Sequence, residues 1–228
     1  MSTVGQRLQA IRQRIDGACR RANREPDAIT LIGAAKRQPL DRLRAALEAG
    51  LSDFGENRVQ EGIEHRNALG SGVWHLIGPL QSNKARVALE HFDVFHAVDR
   101  LKIAHKLDRE AALRGTRVPG FLEINLGEEE SKHGFSSAGL DEVVRPLADL
   151  ENLRLVGLMA IPPQEEDPAA ARRWFRRLRE LRDDLFARRE WSDRPGMLSM
   201  GMSDDFEVAV EEGATHVRVG TALFGTRD

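Results

Sequence analysis

TLIGAAKRQPLDRLRAALEAG, residues 30–50, joins an apolar run to an amphipathic stretch and decides how the rest of the chain is read. The run lacks the alternation of a half-solvated strand, which suits a strand covered on both faces. Pro39 breaks it, a helical pattern follows, and Gly50 stands where a helix C-cap does. The theme recurs in SDFG (52–55), WHLIG (74–78), VFHAV (94–98), FLEINL (121–126), LVGLMA (155–160), MLSMG (197–201) and HVRVG (216–220). Amphipathic stretches such as SSAGLDEVVRPLADL (136–150) lie between the runs. Eight strand-like runs, each followed by a helix, predict a (β/α)8 barrel. The rival doubly wound sheet is announced by a G-x-G-x-x-G turn after its first strand, and GAAKRQ (33–38) is not one. A helix expected over residues 3–22 precedes the first strand, where it could cover the bottom of the barrel.

The 228 residues are 41% hydrophobic, enough for one large core, so a single domain over 1–228 is expected. With 34 basic and 36 acidic side chains the formal charge is -2, which gives no whole-protein attraction to nucleic acid or membrane. The N-terminal residues carry no signal-peptide core and no run approaches a membrane span, so a cytoplasmic protein is expected. The single Cys19 excludes an internal disulfide and a cysteine-cluster metal site. The arginine-rich stretch at 169–191 puts Trp174, Leu178, Leu181 and Leu185 on one stripe and reads as a solvated outer helix.

Barrel active sites lie where strands end. There the sequence places Lys36, ENR (56–58), GPLQSNK (78–84), Asn125, SMGMSDD (199–205), and Arg218 ahead of Gly220 and Thr221. Residues two apart share a strand face, so Ile32, Ala34 and Lys36 point one way, as do His216, Arg218 and Gly220. An arginine among valines is better placed inside the barrel than beneath its helices, so Arg218 and Lys36 are read as facing inward. Either an anion lies between them, or each pairs with a carboxylate such as Glu56 or Glu123. Ser199, Gly201 and Ser203 in one loop, with Gly220 and Thr221 in the next, offer the hydroxyls and close backbone approach that a phosphate needs. Lys36 would then meet a carbonyl. Its amine reacts only when neutral, and half-neutrality at pH 7 requires a fall of about 3 from a pKa near 10.4, roughly 4 kcal/mol. His75, His96 and His216 lie on strands without metal-ligand spacing, and no metal site is expected.

The motifs AAKRQP (34–39), FGENRVQE (54–61), WHLIGPLQSNK (74–84), VDRLKIA (98–104), INLGEEESKHGF (124–135), LVGLMAIPP (155–163), LSMGMSDDFEVAV (198–210) and THVRVGTALFG (215–225) are quoted in chain order. Over nearly its whole length the chain thereby resembles the pyridoxal phosphate homeostasis protein family. The resemblance implies a fold-type III barrel like the N-terminal domain of alanine racemase, holding pyridoxal 5'-phosphate as an internal aldimine on Lys36. It also implies that Ser199, Gly220 and Thr221 bind the phosphate, that Arg218 faces the pyridine nitrogen and that Asn57 lines the site. Lys132 matches a basic position linked with cofactor handling. Two positions depart from the family pattern: Ala35 stands where a serine usually precedes the lysine, and Gln38 where some relatives are basic.

A racemase of the related type takes its second base, a tyrosine, from a C-terminal β-domain of the partner subunit. This sequence has no tyrosine and runs only to Asp228, and an arginine facing the ring nitrogen weakens the electron sink. The expectation is therefore a monomeric carrier in pyridoxal phosphate homeostasis that can supply apoenzymes, without robust turnover. The alternative is a weak amino-acid racemase or an enzyme of unknown substrate. A cofactor-free Schiff-base aldolase usually carries its lysine on the sixth strand, and LVGLMA has none.

Overall fold

The computed structural model describes residues 2–127, 133–163 and 167–225. Its strands are β1 (Thr30–Ala34), β2 (Asp53–Glu56), β3 (Val73–Leu76), β4 (Val94–Val98), β5 (Val118–Asn125), β6 (Phe135–Ser136), β7 (Leu153–Met159), β8 (Met197–Ser199) and β9 (His216–Val219). The helices are α1 (Val4–Arg21), α2 (Leu40–Glu48), α3 (Val59–Leu69), α4 (Ala85–His91), α5 (Leu101–Leu113), α6 (Leu140–Ala148), α7 (Arg172–Phe186), α8 (Phe206–Glu211) and α9 (Thr221–Phe224). All strand pairings are parallel, and the order β1-β2-β3-β4-β5-β7-β8-β9 returns to β1, closing a barrel of eight strands. The two-residue β6 pairs only with the end of β5 and lies outside the ring. Each of the eight apolar runs supplies one barrel strand. None of the described helices is long and apolar enough to cross a membrane.

The large core lies between strands and helices. Phe54, Trp74, Phe95, Leu122 and Leu158 meet Leu43, Ala88, Ile103 and Phe175 there. A second, small cluster of Ala97, Phe121, Val156 and Met159 fills part of the barrel's inside, leaving room for polar groups. Ile32 is fully buried with its methyl against Gly55, and Ala34 lies beside Gly220. This is the alternation expected of the strand that leads to Lys36.

The first helix does not close the barrel's bottom. A capping box starts α1, with the Gln6 N–H donating to Thr3 Oγ1 (3.2 Å) and the Thr3 N–H to Gln6 Oε1 (2.9 Å). Its buried face, Val4, Leu8, Ile11, Ile15, Ala18 and Cys19, packs among α2, α8 and α9. Arg7 donates to the carbonyls of Leu223 and Phe224 after β9, while Arg21 binds Glu207 and Glu211 on α8. The reason is the length of α9. One turn after β9 leaves the wall between α8 and α2 uncovered, and α1 takes the place of the missing eighth helix. Burying six apolar side chains there contributes on the order of 10 kcal/mol before chain entropy is counted.

The face of α7 also differs from expectation. Phe175, Leu178 and Leu185 are buried, whereas Trp174 is half-buried with the Arg173 guanidinium 5.1 Å above its ring. Trp174 and Leu181 pack partly buried against the edge of the same core, so the buried face is centred on Phe175 rather than on Trp174.

Candidate functional site

Lys36 sits on the turn that ends β1, two residues past the strand. The Gln38 N–H donates to the Ala35 carbonyl (2.9 Å), closing the turn. Arg37 takes a left-handed backbone (φ 57) that is unfavourable for a side chain with a Cβ. The Glu61 carboxylate of α3 accepts from the Arg37 N–H and holds that conformation. Lys36 is half-buried at the edge of a cleft of about 720 Å³ also lined by Asn57, Arg58, Gln81, Lys84 and Arg100. An adjoining cleft of about 260 Å³ shares Asn57, Pro79 and His133 with it and adds Glu123 and Asn125.

Asn57 owes its place to Gly78. A Cβ at Gly78 would stand 2.4 Å from the Asn57 carbonyl oxygen, so only glycine allows the two loops to touch. Neither carboxylate considered as a partner for Lys36 takes it. Fully buried Glu56 bonds to His65 Nδ1 (2.6 Å): burial raises the carboxyl's pKa, and the bond to Glu56 raises that of the imidazole. Glu123 Oε2 has no hydrogen-bond partner among the described residues.

Arg218 points into the barrel as expected and is only 4% exposed. Its Nη1 donates to Ser199 Oγ (2.6 Å) and its Nη2 to the Ala160 carbonyl (3.1 Å). Burial pulls its pKa down to about 10, opposed by the Asp205 and Glu123 carboxylates, and it stays cationic at pH 7. Ser199 takes a different place from the phosphate loop assigned to it. It is fully buried, and its hydroxyl is held between Arg218 and His96 Nδ1 (2.8 Å).

The hydroxyl that reaches the β9 loop is that of Ser203, accepting from the N–H groups of Gly220 (3.3 Å) and Ala222 (3.2 Å). Gly201 is left-handed (φ 93), and its carbonyl accepts from the Arg218 N–H (3.0 Å). A Cβ on Gly201 would stand 2.5 Å from that of Ala209. Thr221 is exposed at the start of α9. The structure thus brings Lys36 to Asn57, Gly220 to Ser203 and Arg218 to Ser199 and Gly201. Lys132 lies outside the described residues.

Sequence reasoning missed three features. Glu61 steadies the lysine turn; it ends the motif FGENRVQE (54–61), in which no role was read for it. Glu123, considered only as a partner for a cation, lines the site; its position two residues before Asn125 on β5 was the available signal. The strand histidines, set aside as a metal site, meet inside the barrel, and no metal-holding cluster occurs among the described residues.

Burial, with the nearby Asp99 carboxylate, raises the Glu123 pKa from 4.5 to about 7, against a lowering by Arg218. A carboxyl that holds its proton more tightly folded than unfolded stabilises the fold below its ordinary pKa. That contribution is lost as pH rises from 4.5 through 7. Urea unfolding of the ligand-free protein should show a decline between pH 5 and pH 8 that Glu123→Gln reduces, by up to about 3 kcal/mol. Parallel declines in the two proteins would exclude Glu123 as its source.

A family model described as alanine racemase, N-terminal domain, matches residues 7–228. The chain is 41% identical over 233 residues to the pyridoxal phosphate homeostasis protein of Escherichia coli strain K12, covering 100% of this chain and 98% of that protein. It is 42% identical over 224 residues to the protein of that name from Aquifex aeolicus strain VF5, with 97% of each covered. Among solved structures it is similar to PipY of Synechococcus elongatus PCC7942 with PLP bound: TM-score 0.85, 36% identity, 98% of this chain and 100% of that one. Alanine racemase of Clostridium difficile 630 shares the fold, with TM-score 0.64 and 15% identity over 94% of this chain and 54% of the racemase. With full-length identity near two residues in five to these relatives, the chain belongs to the pyridoxal phosphate homeostasis proteins within the alanine racemase N-terminal domain family.

Proposed function

We propose that the protein binds pyridoxal 5'-phosphate reversibly as a Schiff base on Lys36 and acts as an intracellular carrier that limits the free aldehyde and supplies apoenzymes. Such a ligand asks for an amine, room for an anion and a donor toward its ring nitrogen. Lys36 opens on the cleft. A Cβ at Gly220 would stand in van der Waals contact with Ala34, at 3.5 Å, so glycine keeps the backbone of the β9 loop bare beside the strand that leads to the lysine. Gly201 and Thr221 lie just after β8 and β9, Asn57 lines the cleft, and Arg218 offers a fixed cationic donor inside the barrel. These residues fit the group.

The observation that carries the reading is Lys36 at a cleft whose other cations, Arg58, Lys84 and Arg100, favour an anionic aldehyde. The Lys36 Nζ adds to the carbonyl carbon and one water leaves as the C=N bond forms. Loading therefore needs no oxidant, and hydrolysis reverses it. When bound, the cofactor supplies an electron sink. A guanidinium with pKa about 10 donates a hydrogen bond to the ring nitrogen without surrendering its proton, which leaves that sink weak.

A second reading, slow racemisation, is favoured by Glu123, whose pKa of about 7 suits proton exchange in the adjoining cleft. Incubation of the loaded protein with L-alanine in deuterated water separates the two. The carrier should give no more than a few equivalents of Cα deuterium per chain, while restoring activity to an apo-aminotransferase. Hundreds of equivalents would establish an enzyme.

A further inference from the structure

A chain of hydrogen bonds crosses the inside of the barrel. It begins at Asp53, the first residue of β2, whose Oδ1 meets His75 Nε2 at 2.9 Å. His75 Nδ1 meets His96 Nε2 at 2.9 Å, and His96 Nδ1 meets Ser199 Oγ at 2.8 Å. Ser199, the last residue of β8, accepts from Arg218 Nη1 at 2.6 Å. Five strands, β2, β3, β4, β8 and β9, supply one residue each, and His75, His96, Ser199 and Arg218 are all buried. The Phe121 ring stacks on His96 (4.4 Å between centroids) and shields the link from water.

With both histidines neutral, the two ends set the direction of the chain. A guanidinium can only donate, so the Ser199 hydroxyl accepts from Arg218, and at the other end the Asp53 carboxylate can only accept, so His75 donates to it from Nε2. His75 Nδ1 then accepts from His96 Nε2–H. His96 Nδ1 is left as an acceptor, and the Ser199 hydroxyl sends it its proton. A cation at one end and an anion at the other thus polarise every bond the same way, and bonds so aligned strengthen one another.

We infer that Asp53, His75, His96 and Ser199 are positioning residues that fix Arg218 as a donor aimed at the ligand's ring nitrogen, with both histidines neutral and protonated on Nε2. The inference deepens the proposed function and rests on it only for what Arg218 faces. Burial, with His75, His216 and Arg218 around it, pushes the His96 pKa well below the usual range, and burial pushes that of His216 down to about 3. Burial works to raise the Asp53 pKa, but the bonds from His75 and Ser52 outweigh it and hold it low. An extra proton on His96 would put a second cation beside Arg218 with no carboxylate in contact. The chain therefore orients the guanidinium and does not conduct protons.

The test starts on the ligand-free wild type. Imidazole 15N spectra should show His75 and His96 as neutral Nε2–H tautomers at pH 7, and the Arg218 guanidinium should rotate slowly in 15N spectra. Ser199→Ala should speed that rotation at least tenfold. Asp53→Asn, whose amide both donates and accepts, should release the His75 tautomer at the far end of the barrel. With pyridoxal phosphate added, both variants should move the visible absorption band and weaken binding by about tenfold. An Nδ1–H or doubly protonated His75 or His96 in the wild type overturns the inference. So do variants with wild-type Arg218 rotation and wild-type absorption. Failure of the wild type to take up pyridoxal phosphate would sink the proposed function, while the tautomer and rotation results would still decide the positioning role.

Discussion

Borohydride reduction of the protein loaded with pyridoxal phosphate should leave one pyridoxyl label per chain, on the peptide containing Lys36, and Lys36→Ala should take up none. The chain offers few competitors, with lysine only at 36, 84, 102, 106 and 132. Lys106 is paired with Glu110 at 2.7 Å on the outside of α5. Lys84 is the informative rival because it lines the same cleft, yet it is exposed while Lys36 is half-buried on the closed turn after β1. An amine fixed beside a bound aldehyde reacts at an effective concentration that a mobile, hydrated one does not reach. Lys84→Ala should therefore keep the label and lose only affinity, by a few-fold, because it removes one of the rim's positive charges. A label that persists in Lys36→Ala and vanishes in Lys84→Ala would move the covalent site across the cleft. No label in any protein would leave the cleft to a different anion.

Particular residues show how far the sequence could be read. The eight barrel strands were legible because a strand covered on both faces must be apolar almost throughout. The start of β5 was not: Pro119 and Gly120 look like a break, yet β5 runs from Val118, with Gly120 opposite Leu155 and Phe95. The place of α1 depended on a length elsewhere, the single turn of α9. Lys36 and Arg218 were legible from alternation, since each would be unpaired beneath a helix. Ser199 follows the same rule: it ends β8 facing inward, and its buried hydroxyl has its partners inside the barrel. The histidine chain was hidden because its members come from β3 and β4, over 100 residues before Ser199, and meet only when the barrel closes.

Gly157→Ala should cost the barrel more than any single substitution at the site. Gly157 on β7 pairs with Met197 on β8, and a Cβ there would lie 2.0 Å from the Met197 carbonyl oxygen, 2.6 Å from its carbon and 2.9 Å from its Cα. All three atoms are backbone, so no rotamer change makes room and the strands must part. The approach is set nearby: across β5 and β7 the register steps from Gly120 opposite Leu155 to Phe121 opposite Gly157, one residue of β7 being passed over. Such a bulge twists the strand locally. Overpacking normally costs about 1–3 kcal/mol, and a clash with backbone belongs at or above the top of that range. With about 2–4 °C lost per kcal/mol for a domain of this size, the melting temperature should fall by roughly 10 °C or more. Gly70→Ala is the control, because Gly70 has φ 73 but nothing within 4 Å of a new Cβ, so it should lose only about 1 kcal/mol. Thermal unfolding followed by circular dichroism compares the two directly. If Gly157→Ala melts no lower than Gly70→Ala, β7 and β8 do not approach this closely. If it melts far lower, β8 with Ser199 and the Gly201 loop behind it is held in place by the absence of one methyl group.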